Sequence, residues 1–594
     1  MTHVRIAFAL LVALLWVGIG AAGYGKGLEK ARIRSTPTTY CNPVNISYRF
    51  MLREADGSPS RREAADPTIV RYKDEYYLFA SKSGCYWRSS NLVTWVPIPM
   101  DTLPSEDYAP TAAVLGDTMI FKASSWDAKA AIYQSTDPRA GKWKKLDSYF
   151  PNWDPCFFVD DDQRLYFYWG CSPTDPIRVQ ELDVENGFNA KGPRADLLRS
   201  NTRDRGWENV GENNEILDGP RPPEVRGPWI EGPWMTKHKG RYYLQYAAPG
   251  TEYASYADGV VVGASPMGPF DYTLYNPVCA KPRGFTAGAG HGSTFTDSFG
   301  NFWRVATSRI SVKHMFERRL GIYPAGFDAE GVMYTNTALG DYPHLLPTGP
   351  RDHARSALTG WMLVTNRTPA RASSSQPGHA VEAAFDEDIR TYWAAATGGA
   401  GEWLQTDMGR ACTVHALQVN FAEHEAGLFG RVPGVCHRYR VLYSRDGKTW
   451  ETLVDRTAPH EDLTHEYFEF EMPLKARFIR LENTAVPGGA LAVSGLRVFG
   501  SGNGARPRAV DSFSVERDPK DGRHAILSWL PSAGTTGYVV RFGIAPQKLY
   551  LHVQVDGQTS VEIRSLNRGV AYTFAIDSYN ENGITEGKAR VIVR

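Results

Sequence analysis

A short pattern recurs five times in the N-terminal half of this chain, and it constrains the fold more than any other feature. Each copy is a turn residue followed by an aromatic–aliphatic strand. The copies are Asp74-Glu75-Tyr76-Tyr77-Leu78-Phe79, Gly116-Asp117-Thr118-Met119-Ile120-Phe121, Gln163-Arg164-Leu165-Tyr166-Phe167-Tyr168, Gly240-Arg241-Tyr242-Tyr243-Leu244-Gln245 and Gly300-Asn301-Phe302-Trp303-Arg304-Val305. Counted through Tyr76, Met119, Leu165, Tyr242 and Phe302, the steps are 43, 46, 77 and 60 residues. The first two match one four-stranded propeller blade of roughly 40 to 50 residues. The longer steps imply insertions, of which polar, Pro-rich Arg199 to Arg226 is the plainest. The repeat predicts a five-bladed β-propeller within residues 24–355; a generic antiparallel β domain with Tyr-rich hairpins is the alternative. The abundance of aromatics (12%), with 56 Gly and 38 Pro, suits a β-rich chain and leaves rings that can stack on sugars.

A boundary is expected near Leu345-Leu346-Pro347-Thr348-Gly349-Pro350. Beyond it, alternating strands such as Ala416-Leu417-Gln418-Val419-Asn420-Phe421 and Ala476-Arg477-Phe478-Ile479-Arg480-Leu481 predict a β-sandwich over residues 356–503. A Gly/Ser/Pro/Arg linker leads to residues 504–594. There Trp529 and Leu566-Asn567-Arg568-Gly569-Val570-Ala571-Tyr572 have the look of a tyrosine corner in an immunoglobulin-like sandwich. The fold class is therefore all-β, with a propeller followed by two sandwiches.

At the other end, Arg5 precedes an apolar run from Ile6 to Ala22, closed by Ala21, Ala22 and Gly23. Residues 1–23 read as a secretory signal peptide, with an uncleaved anchor as the alternative, and the protein is expected to be secreted, periplasmic or on the cell surface. No other segment is apolar enough to suggest a membrane span. Lys plus Arg number 66 and Asp plus Glu 65, so no charge excess points to nucleic acid as a partner. The seven cysteines are odd in number and scattered, with no CxxC pair, which argues against a disulfide scaffold and a structural zinc site. Cys156 and Cys171 could meet across a hairpin or remain free thiols.

Three acidic residues stand directly before propeller strands: Asp66 in Ala65-Asp66-Pro67, Asp154 in Trp153-Asp154-Pro155 and Glu231 in Glu231-Gly232-Pro233. The innermost strands of a propeller begin around one end of its central channel, so these carboxylates should converge. Asp-Pro and Glu-Gly-Pro also fix the local backbone. Crowded carboxylates separate in pKa, one staying protonated and another ionised, which is the equipment for cleaving a glycosidic bond. Taken singly, each motif could merely shape a turn. The run Asp160, Asp161, Asp162 reads as a solvated hairpin tip.

These motifs, with Trp-Asp-Pro-x-x-Phe-x-Asp-Asp-Asp around Asp154, resemble glycoside hydrolase family 43. The resemblance covers about residues 40–345. It implies a five-bladed propeller that inverts the anomeric centre, with Asp66 as general base, Glu231 as general acid, and Asp154 raising the pKa of Glu231 and orienting it. The inverting geometry it implies places the two reacting carboxyls roughly 6.5 to 9.5 Å apart. His291, in Gly288-Ala289-Gly290-His291-Gly292-Ser293, corresponds to a channel histidine often directed at a bound cation, so it is a candidate for substrate, water or structural calcium; no cofactor is required for the chemistry. Trp87, Tyr108 and Trp169 are candidate substrate-binding aromatics. Tyr108-Ala109-Pro110-Thr111 departs from the usual Trp-Ala-Pro-Glu at its first and last positions. The implied activity is exo-hydrolysis releasing arabinofuranosyl or xylosyl residues, less readily galactofuranosyl, from a polysaccharide or oligosaccharide. A propeller that binds carbohydrate without cleaving it is the alternative.

Residues 356–503 resemble the coagulation factor 5/8 type C, or discoidin, domain, similar to family 32 carbohydrate-binding modules. The resemblance rests on Ala384-Phe385-Asp386-Glu387-Asp388-Ile389-Arg390-Thr391-Tyr392-Trp393 and Trp403-Leu404-Gln405-Thr406-Asp407-Met408-Gly409. Asp386, Asp388 and Thr391 match that family's calcium loop, but Gly495 stands where its last strand usually supplies a carboxylate. Residues 504–594 resemble a fibronectin type III domain, through Trp529, Tyr538, Leu566 and Tyr572.

Overall fold

A computed structural model describes residues 32–99, 102–104, 107–124, 130–150, 153–215, 227–354 and 357–594. The expected signal peptide, and residues 216–226 of the insertion, lie outside this set. Among the described residues no helix is long and apolar enough to cross a membrane.

Five antiparallel sheets follow one another in chain order. The first comprises Ala65–Tyr72, Glu75–Ser81, Cys85–Ser89 and Val96–Pro99. The second comprises Tyr108–Leu115, Thr118–Ser124, Ala130–Asp137 and Lys142–Phe150. The third comprises Cys156–Val159, Leu165–Trp169, Ile177–Asp183 and Asn189–Leu198. The fourth comprises Glu231–His238, Arg241–Ala248, Ala257–Gly263 and Phe270–Tyr272, with Cys279–Ala280 paired to its third strand. The fifth comprises Ala287–Thr296, Phe302–Arg309, Arg318–Phe327 and Met333–Thr335. These are the five blades. Each repeat copy falls on the second strand of a blade, just after the turn from the first.

Alternation explains the packing. In Glu75–Ser81, Tyr77 and Phe79 face the second blade's Phe121 and Ala123, whereas Tyr76 and Leu78 face the fifth blade's Phe295, Trp303 and Val305. A strand buried on both faces needs apolar residues at every position, so the motif is a continuous run. Polar links join the blades as well. Thr68 Oγ1 donates to Pro110 O, Thr111 Oγ1 accepts from Phe157 N, and Ser293 Oγ accepts from Ile69 N. The ring closes without strand exchange. Blades one and five meet over an apolar cluster that includes Tyr40, Val44, Ile46 and Tyr48 from the preceding segment, and Thr39–Tyr40 pairs with His344–Leu345.

The sandwich that follows is built on two long strands, Trp403–Phe421 and His465–Ala485, whose pairing breaks register at Asp407/Cys412 and Val414/Ala416. Leu404, Leu417, Tyr439, Phe468, Ile479 and Val498 fill its core. The C-terminal segment forms a second sandwich. Phe513–Arg517, Ala525–Trp529 and Ser560–Ile563 make one sheet; Leu551–Asp556, Gly537–Gly543, Tyr572–Asn580 and Gly583–Thr585 make the other, joined by Val591–Val593. The Tyr572 hydroxyl accepts from Asn567 N at 3.0 Å, as a tyrosine corner requires.

Both sandwiches dock on the propeller. The insertion after the third blade packs against the last sandwich, where Gly206 N donates to Leu566 O at 3.0 Å. A Cβ on Gly206 would lie 2.3 Å from Arg564 O, so only glycine allows this approach. All seven cysteines are free thiols, so Cys156 and Cys171 do not pair.

Candidate active site

The inner strands of the five blades start in the same way. Asp66, Ala109, Asp154, Gly232 and His291 each adopt positive φ, at 50°, 44°, 52°, 58° and 43°. Each precedes Pro or Gly: Pro67, Pro110, Pro155, Pro233 and Gly292. In four blades the pairing to the second strand breaks register here, at Ala65/Thr68, Tyr108/Thr111, Glu231/Trp234 and Gly290/Ser293. Left-handed backbone is costly for a residue with a side chain, so a ring of it must be held in place. The amide of each is held by the preceding blade. Asp66 N donates to Thr307 Oγ1, Ala109 N to Ser81 Oγ, Asp154 N to Ser124 Oγ and His291 N to Asp258 Oδ1. Gly232 N donates to Asp154 Oδ2 at 3.2 Å.

The alignment separates the three carboxylates. Asp66 and Asp154 occupy equivalent positions, but Glu231 stands one residue earlier in its blade, with Gly232 at the ring position. The additional methylene of glutamate lets its carboxyl reach the same space. Ligand atoms of Asp154, Glu231 and His291 lie within 4.8 Å of one another. His291 Nδ1 is 3.5 Å from Asp66 Oδ1 and 3.6 Å from Asp154 Oδ2. The structure thus brings Asp66, Asp154, Glu231 and His291 together. Gly232 is required for this. A Cβ there would lie 2.6 Å from His291 Cγ, and its φ is left-handed.

The three carboxylates have different surroundings. Burial alone would raise Asp66, but the Arg318 guanidinium, 3.0 Å away, and the Ser81 hydroxyl, 2.6 Å away, hold it below the ordinary carboxylate range. Burial pushes Glu231 up to about 7; Asp66 adds repulsion, while the Tyr256 hydroxyl and the Cys171 thiol, which donate to it, act the other way. Burial and the charges of Glu231 and Asp66 push Asp154 well above its ordinary value. Asp154 and Glu231 are thus raised together as a buried pair, beside an Asp66 that is held low. Burial lowers His291 to about 4, so its imidazole is neutral.

Arg318, Ser81 and Tyr256 were not among the residues singled out in the sequence. Arg318 left a trace there. Arg318-Arg319 opens an otherwise apolar strand, and charged residues inside such a strand need partners. Glu63 is the second partner of Arg318, at 2.6 Å. Cys171, read only as a possible disulfide half, lies 3.3 Å from Glu231 Oε2.

The aromatic candidates separate. Trp87 has no exposed surface; it packs in the apolar cluster between blades one and five, with its indole N–H on Ser47. It has no face to offer a sugar. Trp169 is half-buried and stacked on Phe167 with centroids 5.4 Å apart. Tyr108 is half-buried beside the site, with Lys82 Nζ 4.3 Å over its ring and Phe316 meeting it edge-on at 6.0 Å.

The calcium expectations meet the donor sets as follows. Calcium takes six to eight oxygens. In the channel Asp154, Glu231 and His291 would offer three ligand atoms within 4.8 Å of one another, so waters would have to complete a calcium site there. In the discoidin-like loop the oxygens are spent on the loop itself. Asp386 accepts from Thr391 Oγ1 and Asp388 N, and Asp388 accepts from Arg390 N. Phe285 of the propeller fills the space beside Gly495, and Ile389 N donates to Phe285 O, so this loop serves docking.

Comparison with known proteins agrees with this architecture. Residues 60–333 match the family model described as glycosyl hydrolases family 43, and residues 369–494 match that of the F5/8 type C domain. A beta-xylosidase from Xylanibacter ruminicola is 28% identical over 143 residues, covering 20% of this chain and 39% of that protein. Lactadherin from Bos taurus is 34% identical over 101 residues, covering 16% of this chain and 22% of that protein. The chain thus spans well under half the length of either curated relative. A thermostable family-43 glycoside hydrolase of solved structure is 22% identical, with a TM-score of 0.40, over 54% of this chain and all of that one. Residues 60–333, which take in most of the propeller, are thus similar to glycosyl hydrolases family 43, and residues 369–494, within the first sandwich, are similar to the F5/8 type C domain.

Proposed function

We propose that the protein is a secreted, inverting, exo-acting glycoside hydrolase that releases terminal α-L-arabinofuranosyl or β-D-xylosyl residues from a polysaccharide or oligosaccharide. One observation carries this reading: an ionised Asp66 and a Glu231 held near pH 7 share one channel mouth. In the proposed cycle Asp66 takes a proton from water as that water attacks the anomeric carbon. Glu231 gives its proton to the departing oxygen. Asp154 steadies Glu231 through the Gly232 amide and shares the proton burden of the pair. His291 stands between Asp66 and Asp154 as a neutral hydrogen-bonding group. The beta-xylosidase relative supports the xylosyl branch. The C-terminal sandwich is proposed to be a fibronectin type III domain acting as a packing partner.

The test is turnover of a panel of aryl arabinofuranosides, xylosides and galactofuranosides, with the first-formed anomer followed by proton NMR. Turnover with inverted product is expected. Retained configuration would overturn the mechanism. Tight oligosaccharide binding without product would leave a sugar-binding propeller instead.

A further inference from the structure

The F5/8 type C domain is bolted to the active-site face through its segment 422–431. Arg62 Nε donates to Glu423 at 2.5 Å, Ser60 Oγ to Leu428 O at 2.6 Å, and Gly430 N to Met51 O at 2.9 Å. Arg62 adjoins Glu63, the carboxylate that grips Arg318, which in turn holds Asp66. An unbroken run of bonded neighbours therefore joins His424, next to Glu423, to the catalytic centre.

His424 belongs to a cluster of side chains that the catalytic reading does not use. Its Nδ1 is 3.1 Å from the Tyr392 hydroxyl and its Nε2 is 3.0 Å from Gln376 Oε1. His379 stacks on Tyr392 with centroids 4.3 Å apart and planes 18° apart, and meets His424 edge-on at 4.6 Å. All four residues are half-exposed. Both nitrogens of His424 are engaged, so this is a poor metal site. Stacked rings edged with imidazole and amide groups suit a ligand with apolar C–H faces and a rim of hydroxyls.

The propeller loop 310–317 spans the distance between this cluster and the catalytic mouth. Near one end Phe316 meets Tyr108 and lies 5.0 Å from the Arg318 guanidinium. Elsewhere in the loop, Lys313 and Glu317 act electrostatically on His424 and Tyr392. In the same loop Val312 and Met315 are 44% and 47% exposed. We propose that Gln376, His379, Tyr392 and His424 form a distal subsite for the neutral main chain of the substrate, which runs from the mouth across loop 310–317. The F5/8 type C domain is then a wall of the substrate path and not a remote tether. The route of the chain rests on the hydrolase reading above; binding at the cluster does not.

Two measurements on the full chain test the proposal. In His379→Ala, and in Tyr392→Ala if it folds, the ratio of kcat/KM on polymer to kcat/KM on a short aryl glycoside should fall about tenfold. Titration calorimetry of xylohexaose and of arabinohexaose into Asp66→Asn should show binding of at least one, weakened about tenfold by adding His379→Ala. An unchanged ratio, or hexasaccharide binding indifferent to His379, overturns the subsite. If the wild-type chain turns over no glycoside, the hydrolase reading fails, while the titration still decides whether the cluster binds sugar.

Discussion

Replacing Arg318 by Gln tests the electrostatic core of the proposed mechanism. Its guanidinium is 3.0 Å from Asp66 and 2.6 Å from Glu63, and all three groups are buried. Unit charges about 4 Å apart interact by about 4 kcal/mol at an effective dielectric of about 20. Since one pKa unit is about 1.4 kcal/mol, Asp66 could rise by up to about three units, and by about one if water enters the gap. Asp66 must be ionised to act as base. The acidic limb of kcat/KM should therefore move up by one to three units, measured with an aryl glycoside whose good leaving group needs little help from Glu231. Stability should also fall, by about 3–5 kcal/mol, because two buried carboxylates lose their cation. The sign with pH follows from linkage. In the variant the folded state binds the Asp66 proton more tightly than the unfolded chain does. The melting temperature should thus drop further as pH rises through the new folded pKa. Arg318→Lys should recover part of both effects. A folded Arg318→Gln protein with an unmoved acidic limb would refute the reasoning: either Asp66 is not the base, or Arg318 does not set its charge.

Glu231→Gln should slow substrates with poor leaving groups by about 100- to 10,000-fold in kcat, while aryl glycosides with acidic phenols lose far less. Cys171→Ala removes a donor that favours the ionised form of Glu231, so the alkaline limb of kcat/KM should move up from near pH 7, and Cys171→Ser should keep it in place. Cys171 is half-exposed while the other six cysteines are buried, so thiol-reagent inactivation should disappear in Cys171→Ala. Gly232→Ala drives a methyl into the His291 ring and strains a left-handed backbone; kcat should fall, with a loss of about 1–3 kcal/mol in thermal or denaturant unfolding.

The repeat was legible because strands buried on both faces must be apolar at each position, and the turn before each second strand marks the blade. Asp66, Asp154 and Glu231 could be found because residues opening an inner strand at a Pro or Gly-Pro step reach the channel mouth. The one-residue offset of Glu231 was not legible, since it depends on which residue takes positive φ. Arg318 and Tyr256 were missed for another reason: Arg318 opens the third strand of the fifth blade and Tyr256 directly precedes the third strand of the fourth, and only blade geometry sets them beside residues far away in sequence. Trp87 shows the converse. A tryptophan that could floor a sugar site and one that fills a blade interface look alike until burial is known. Asp386, Asp388 and Thr391 kept a family spacing while Phe285 took the room a calcium ligand would need.

Among the described residues no blade borrows a strand from another, so the propeller is a ring held shut at an uncrosslinked joint between its first and last blades. At such a joint, opening requires only that apolar side chains part and a few hydrogen bonds break, with no strand to unthread. In this chain the F5/8 type C domain straddles the joint. Its Glu469 receives the amides of Thr38 and Thr39 on the segment that lines the joint, and its Glu423 receives Arg62 on the approach to the first blade. The domain thereby behaves as a clasp on the catalytic ring. A propeller excised at its C-terminal boundary would have a ring free to gape, and its lifetime when heated would be set by that joint alone.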